Sequence, residues 1–291
     1  MNRTRGILWA ALSSSTFGLA PLFTLLLLLG KGYSPFEVLS YRWGIATLAL
    51  TLFGIVTRRN FRLSLQDAGP VLLLSLMRAA TSLSLVFAYA NIASGVASTI
   101  HFMYPLAVAL AMMLFFGEPR SGRVLTAVAV SIVGALLLSL GENGDSGGSR
   151  FWGLLAACIS VFTYGGYIIG VRKTRAASLD PTVLTCYVMG IGALLFLAGG
   201  SLTGGVRLES DGQTWLYILG LALPATAVSN MALVRAIGNI GPTLTSIFGA
   251  LEPLTAVVIG ILVFGEPFTA AGATGILLIV AAVSLVVLRR E

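Results

Sequence analysis

Apolar runs of about 18–25 residues follow one another along the whole chain, parted by short polar breaks. A helix of that length crosses roughly 30 Å of hydrocarbon. The breaks place the runs at about 6–29, 34–57, 69–91, 94–117, 122–140, 151–170, 181–203, 213–236, 240–264 and 269–288. Barrel strands alternate every second residue over about 10 positions, and the chain lacks that pattern. The pattern therefore predicts an all-α polytopic membrane protein with ten transmembrane helices. The first run has no small-residue cleavage site followed by a soluble chain, which argues against a removable signal peptide.

Composition points the same way. Of 291 residues, 57% are hydrophobic and 10% are charged, against about 25% charged in a soluble domain. The charges set an orientation. With the N-terminus inside, thirteen basic residues collect on one side, from Arg3 and Arg5 through Arg172 and Lys173 to Arg289 and Arg290. Only Lys31, Arg150 and Arg207 fall on the other. The positive-inside rule then puts both termini in the cytoplasm of a cell (inner) membrane protein. The net charge of +7 is spread over short loops without an aromatic platform, so it implies no nucleic acid. Cys158 and Cys186 lie inside apolar runs with no CxxC or CxH pattern, and read as packing residues.

The chain also repeats itself. Displaced by about 148 residues, YANIASGVASTIHFMYPLAVALAMMLFFGEP falls on IGNIGPTLTSIFGALEPLTAVVIGILVFGEP. Asn91 meets Asn239, Ile92 meets Ile240, Pro105 meets Pro253, and Glu118 meets Glu266. A shift of 147 lays LSSSTFG (12–18) on ISVFTYG (159–165). Five helices per unit is an odd number, so the second unit inserts upside down relative to the first. The expected organisation is a first repeat at 1–141, a linker at 142–150 rich in Gly, Ser and charge, and an inverted second repeat at 151–291. Inverted repeats are a construction of many secondary transporters, with the substrate site near mid-membrane.

The strings SIFGALEPLTAVVIGILVFGE and STIHFMYPLAVALAMMLFFGE resemble the two repeat signatures of the EamA-type ten-helix carriers of the drug/metabolite transporter (DMT) superfamily. The resemblance covers the whole chain. It implies a carrier, often an exporter of amino acids or related small metabolites. Efflux of organic cations or drugs is the alternative within the same superfamily.

Several residues carry candidate chemistry. Glu252 sits close to the middle of an apolar run, where insertion scales charge about 2.5–3.5 kcal/mol for a carboxylate. Pro105 and Pro253 each remove a helix hydrogen bond, freeing the carbonyls of His101 and Gly249 and predicting a bend at equivalent depth in both repeats. Helical spacing puts Ala97, His101 and Tyr104 on one face, and Thr245, Gly249 and Glu252 on the equivalent face. Both faces are expected to line one central cavity. Glu252 is either neutral, as desolvation favours, or ionised beside a cation. His101, the only histidine, joins it as a candidate for proton coupling, and no second metal ligand lies near it. Arg42 and Arg78 are the basic residues inside runs and need a partner, water or substrate. Arg42 is open to snorkelling, to pairing with nearby Glu37, or to a functional role. Arg78 is open to holding a substrate carboxylate or neutralising Glu252. Ser13, Thr16, Ser82, Ser160, Thr163, Tyr164, Tyr167 and Asn230 are further cavity candidates, with helix packing as their other reading. Glu118 and Glu266 end equivalent runs and suggest matching gate or loop-anchoring roles.

Other function classes find little support. An intramembrane enzyme needs a nucleophile–base pair or a metal cluster, and HExxH and GxSxG are missing. A receptor or scaffold would be expected to show a sizeable soluble domain. A channel fits broken-helix inverted repeats less well than alternating access does. Without a Walker A motif no ATPase is implied, and energy comes from an ion gradient, exchange or facilitated flow. No cofactor is expected; the implied partners are a small-molecule substrate and the lipid bilayer.

Overall fold

A computed structural model describes residues 2–92, 94–139, 149–252, 254–255, 258 and 270–287, and all of its regular structure there is helical. The helices are α1 (Arg3–Gly30), α2 (Pro35–Val56), α3 (Leu65–Asn91), α4 (Ser94–His101), α5 (Tyr104–Phe115), α6 (Gly122–Ser139), α7 (Arg150–Lys173), α8 (Pro181–Leu202), α9 (Gly212–Phe248) and α10 (Ala270–Val287). Of these, α1, α2, α3, α7, α8 and α9 are long and apolar enough to cross a bilayer. Tyr104–Phe115, Gly122–Gly134 and Ala270–Ala282 are shorter apolar stretches. The chain is thus a polytopic helical membrane protein.

Local chemistry starts these helices. Asn2 accepts the Arg5 amide at 3.1 Å, and Ser34 and Glu37 form a reciprocal capping box. Ser64, Asp180 and Asp211 accept amides at the starts of α3, α8 and α9. Losing one such cap costs about 1 kcal/mol.

Three departures from the expected runs matter. The run at 94–117 is two helices, α4 and α5, parted at Phe102–Met103 just ahead of Pro105. The run at 213–236 extends as α9 past the expected gap, with a sharp bend at Gly241 (φ 83°, ψ 169°) before Pro242. That backbone conformation suits glycine alone. Finally, α1 breaks at Gly18–Leu19 and ends in a π-helical turn, Leu26–Gly30, and α9 contains another, Leu223–Val228. Pro253, Glu266 and most of the expected linker lie outside the described residues.

The polarity is that of a membrane protein. Leu48, Leu52, Phe162 and Leu194 face outward, whereas Arg42, Arg78 and His101 are buried. Cys186 is buried with its thiol 3.1 Å from the Thr51 hydroxyl, and Cys158 is exposed and free.

Helix pairing follows the repeat offset. α1 packs on α9, α3 packs on α7, α2 on α8 and α6 on α10. At the start of α1, a Cβ on Gly6 would lie 2.4 Å from Ile240 Cγ2; at the start of α7, one on Gly153 would lie 2.6 Å from Ile92 Cγ2. Asn239 Oδ1 accepts the Asn2 amide at 3.3 Å, and Asn91 Oδ1 accepts the Ser149 amide at 3.1 Å. Each Asn side chain is fixed by a 2.8 Å bond from Nδ2 to a carbonyl four residues back, of Arg235 and Phe87 respectively. So each of α1 and α7 starts on a capping asparagine from the other half of the chain.

Two clasps hold the ends of α2. At its start, Lys31 pairs with Asp211 at 3.0 Å and Arg207 with Glu37 at 3.4 Å. Arg207 also lies 3.7 Å over the Tyr33 ring, and the Tyr33 hydroxyl donates to Glu209. Past its end, Arg59 pairs with Asp180 and Arg175 with Asp67, while the Tyr187 hydroxyl donates to the Phe61 carbonyl. Partly exposed pairs of this kind contribute about 0–1 kcal/mol each. Acting together they fix the loops.

Candidate functional site

The two bends bring His101, Tyr104 and Glu252 together. The break after His101 puts His101 at the end of α4 and Tyr104 at the start of α5, with ring centroids 5.4 Å apart. Beyond α9 the chain turns through Gly249, whose carbonyl accepts the Glu252 amide at 2.8 Å. The carbonyl expected to be freed by Pro253 is therefore partnered through a tight i→i+3 bond. Tyr104 Oη donates to Glu252 Oε1 at 3.2 Å. It also lies only 1.7 Å from where a Cβ on Gly249 would stand. Only glycine leaves room for that phenol.

His101 has a definable tautomer. Ser160 Oγ donates its one proton to the Ala157 carbonyl at 2.6 Å and lies 2.8 Å from His101 Nδ1. With that proton on the Ala157 carbonyl the serine oxygen accepts, an arrangement that assigns the neutral ring's proton to Nδ1 and leaves Nε2 as the acceptor. Nε2 is buried and has no protein partner among the described residues. The imidazole stacks on Tyr164 at 5.2 Å. Beside these groups lies a cavity of about 40 Å³ lined by Phe17, Gly18, Pro21, Tyr89, His101 and Glu252, among others. By the measure in which one water needs about 10–15 Å³, it has room for a few waters and not for an amino acid.

Arg42 and Arg78 form the second group. Arg78 is 1% exposed; its Nε donates to Asn230 Oδ1 at 2.9 Å and its Nη1 to Ser82 Oγ at 3.2 Å. Its guanidinium lies within 6.0 Å of the ring centroids of Phe17, Trp43, Tyr164 and Tyr167. Arg42, 4% exposed, donates from Nε to Thr226 Oγ1 at 2.6 Å, and its guanidinium lies 5.6 Å from the Phe17 centroid. The π-turn in α9 builds both seats. Thr226 Oγ1 donates to the Leu221 carbonyl five residues back while accepting from Arg42, and the Thr226 carbonyl accepts from Asn230 Nδ2 at 2.8 Å.

Some expected pairings give way. Arg42 does not pair with Glu37, which is taken up by its capping box and by Arg207. Five positions apart, the two side chains point about 140° apart around the helix. Neither arginine lies within 4 Å of a carboxylate among the described residues, so Arg78 makes no ion pair with Glu252. Thr16 donates to the Leu12 and Ser13 carbonyls, and Ser13 to the Ser229 carbonyl. Thr163 bonds the Ile159 carbonyl and meets the Thr81 hydroxyl at 2.9 Å. Ser13 and Thr163 thus tie helices together, whereas Thr16 bonds within its own helix. Glu118, past α5, accepts from the Thr243 hydroxyl of α9. Tyr164 stacks on Phe17 at 6.3 Å and 13°, and on Tyr167 at 6.4 Å and 7°.

Phe17, Trp43 and Thr226 escaped the sequence reading although all three touch the buried cluster. A signal existed for two of them. The 147–148 offset sets Phe17 on Tyr164 and Thr226 on Arg78.

Comparison with known proteins identifies the family and the fold. The EamA-like transporter family matches residues 4–140 and again 151–288. The chain belongs to the EamA-like transporter family, within the DMT superfamily. Over 239 residues, 81% of this chain and 76% of the relative, it is 26% identical to a protein of Bacillus subtilis (strain 168) described as an uncharacterized transporter, YdfC. Its fold is close to that of a protein known from a crystal structure, with a TM-score of 0.83 over 98% of this chain and 97% of that one, at 15% identity.

Proposed function

We propose that the protein is a secondary-active carrier that exports amino acids or related small metabolites across the inner membrane by alternating access. The observation that carries this reading is the His101–Tyr104–Glu252 constellation, gathered where two helix breaks meet beside a small, mostly apolar cavity into which His101 and Glu252 bring polar groups. Two inverted five-helix repeats at 1–141 and 151–291, joined by 142–150, are part of the proposal. The twofold family match and the paired Asn91 and Asn239 caps support them. Basic residues crowd the loops on one side, which supports cytoplasmic termini. A cavity too small for a solute supports a cycle in which the halves rock to admit one.

Within the cycle, Glu252 and the bare Nε2 of His101 are the proton acceptors, and exchange is the other energy source. Tyr104 orients the Glu252 carboxylate. Organic-cation efflux keeps one observation in its favour. Glu252 lines the cavity with the aromatic rings of Phe17 and Tyr89, a setting that suits a soft cation.

Proteoliposomes loaded with labelled amino acids test the reading. Saturable efflux and counterflow, stimulated by a pH gradient, are expected. Glu252→Gln is expected to lower gradient-driven efflux by at least about tenfold and to flatten its pH profile. Silence from every amino acid alongside counterflow of a lipophilic cation would replace the substrate class. Unchanged transport by Glu252→Gln at every pH would remove Glu252 from coupling.

A further inference from the structure

Three donors around the two arginines await an acceptor. Arg42 Nη2, Trp43 Nε1 and Tyr167 Oη are buried without a hydrogen-bond partner among the described residues. Trp43 and Tyr167 are also rings of the Arg78 cage, 6.0 and 5.9 Å from its guanidinium carbon. The Arg78 guanidinium lies beside them, its Nε and Nη1 held by Asn230 and Ser82. Two like charges thus share one ring, Phe17, at 5.6 and 5.4 Å, with no carboxylate within 4 Å of either among the described residues. Like charges placed together in a protein interior call for an anion or for water. Each of the three unpartnered atoms can donate: a guanidinium N–H and an indole N–H, which only donate, and a phenol O–H.

The backbone beside Phe17 is the break in α1. The Gly18 and Leu19 amides bond back to the Ser14 and Thr16 carbonyls, and α1 restarts at Ala20. The equivalent stretch of α7, around Tyr164, runs unbroken. Phe17 therefore sits on the one of the two equivalent helices that has a ready hinge.

Resting on the carrier reading above, we propose that Arg42 and Arg78 form the carboxylate subsite for the transported solute, with Phe17 as its internal gate. When Phe17 swings away at the α1 break, a planar carboxylate enters between the guanidiniums. It takes charge-assisted bonds from both, and completes the indole and phenol of Trp43 and Tyr167. The ammonium of an α-amino acid is then left toward Glu252. The same arrangement disfavours solutes that are only cationic, because they would meet two uncompensated guanidiniums.

Matched solutes test this in the full-length protein. The purified protein is titrated with α-amino acids, with the corresponding α-amides and with sodium phosphate, following the unfolding midpoint; counterflow of the same solutes is measured in proteoliposomes. The amides keep ammonium and side chain but lose the carboxylate. Amides are expected to need at least about tenfold higher concentration than the acids for the same shift. Arg42→Gln should abolish that preference, and Arg42→Lys should restore part of it. Phe17→Ala, which leaves both arginines in place, should lower the concentration of acid required; this arm decides the question should Arg42→Gln fold poorly. Equal action of acids and amides on the native protein overturns the subsite while leaving the carrier reading standing. So does phosphate alone giving the whole shift, or Arg42→Gln keeping the preference. Silence from acids and amides alike overturns the amino-acid reading and the subsite together.

Discussion

The turn from His101 to Tyr104 and the turn from Gly249 to Glu252 occupy the same place in the repeat, yet their side chains are opposites. The first offers two rings, one of them tied to Ser160. The second offers an empty backbone position and a carboxylate, and the Tyr104 phenol fills that emptiness and bonds the carboxylate. Duplication supplies the scaffold, and divergence at two equivalent positions, His101 against Gly249 and Tyr104 against Glu252, supplies the lock and key. The caps at Asn91 and Asn239 show the reverse, since they have kept the same residue, the same bond and the same partner position.

The largest break in this comparison should come from Gly249→Ala. The added methyl meets the phenol oxygen at 1.7 Å, so Tyr104 must leave. We expect a loss of about 1–3 kcal/mol of stability, the range for overpacked cores, read as a lower unfolding midpoint, together with lost counterflow. Adding Tyr104→Phe should recover part of the stability and none of the pH dependence; full independence of the two changes would show that the phenol does not occupy that space. Next in size, Ser160→Ala removes the acceptor of His101 Nδ1–H. A buried donor left alone costs about 1–3 kcal/mol, and the pH profile of transport should shift as the tautomer is freed. Asn91→Ala and Asn239→Ala sharpen the symmetric side of the comparison. Each should cost about 1 kcal/mol, and clearly unequal effects would count against equivalence of the halves.

The smallest effect belongs to the loop clasp. The Thr214 hydroxyl, with the Lys31 ammonium, holds the Asp211 carboxyl well below the usual carboxylate range. A depressed acid favours the folded state above its ordinary value near 3.9 and loses that contribution as pH falls through the folded value. Stability should therefore be flat between about pH 5 and 8 on this account and decline only in strong acid. Asp211→Asn should blunt that acid limb. The Tyr33 hydroxyl, raised by burial and by its bond to Glu209, stays protonated throughout.

Much of the frame was legible in one dimension. Hydrocarbon thickness fixes run length, so the borders of α2, α7 and α8 fall within a few residues of the expected ones. Pro105 marked the bend between α4 and α5 because a missing amide cannot be hidden. The grouping of His101, Tyr104 and Glu252 followed from helical spacing and the offset together. The surroundings of the arginines did not. Hydrogen-bond partners such as Thr226 and Asn230 lie 184 and 152 positions away, and the π-turn that seats them has no sequence period. Proximity in sequence misled at Glu37, whose carboxylate was already committed to the first turn of its own helix. Phe17 was passed over because an apolar residue in an apolar run carries no contrast.

The pairing of α1 with α9 has a consequence for how the chain is made. Ser13 donates to the carbonyl of Ser229, 216 positions later. At the usual pace of synthesis, about 5–20 residues per second, α1 waits roughly 11–43 s in the bilayer before the partner that covers its polar stripe exists. Through that interval its serines and Phe17 face lipid, a neighbouring helix or the insertion machinery. A nascent chain stalled in the linker should therefore leave α1 open to capture or degradation, while α3 would be waiting in turn for α7.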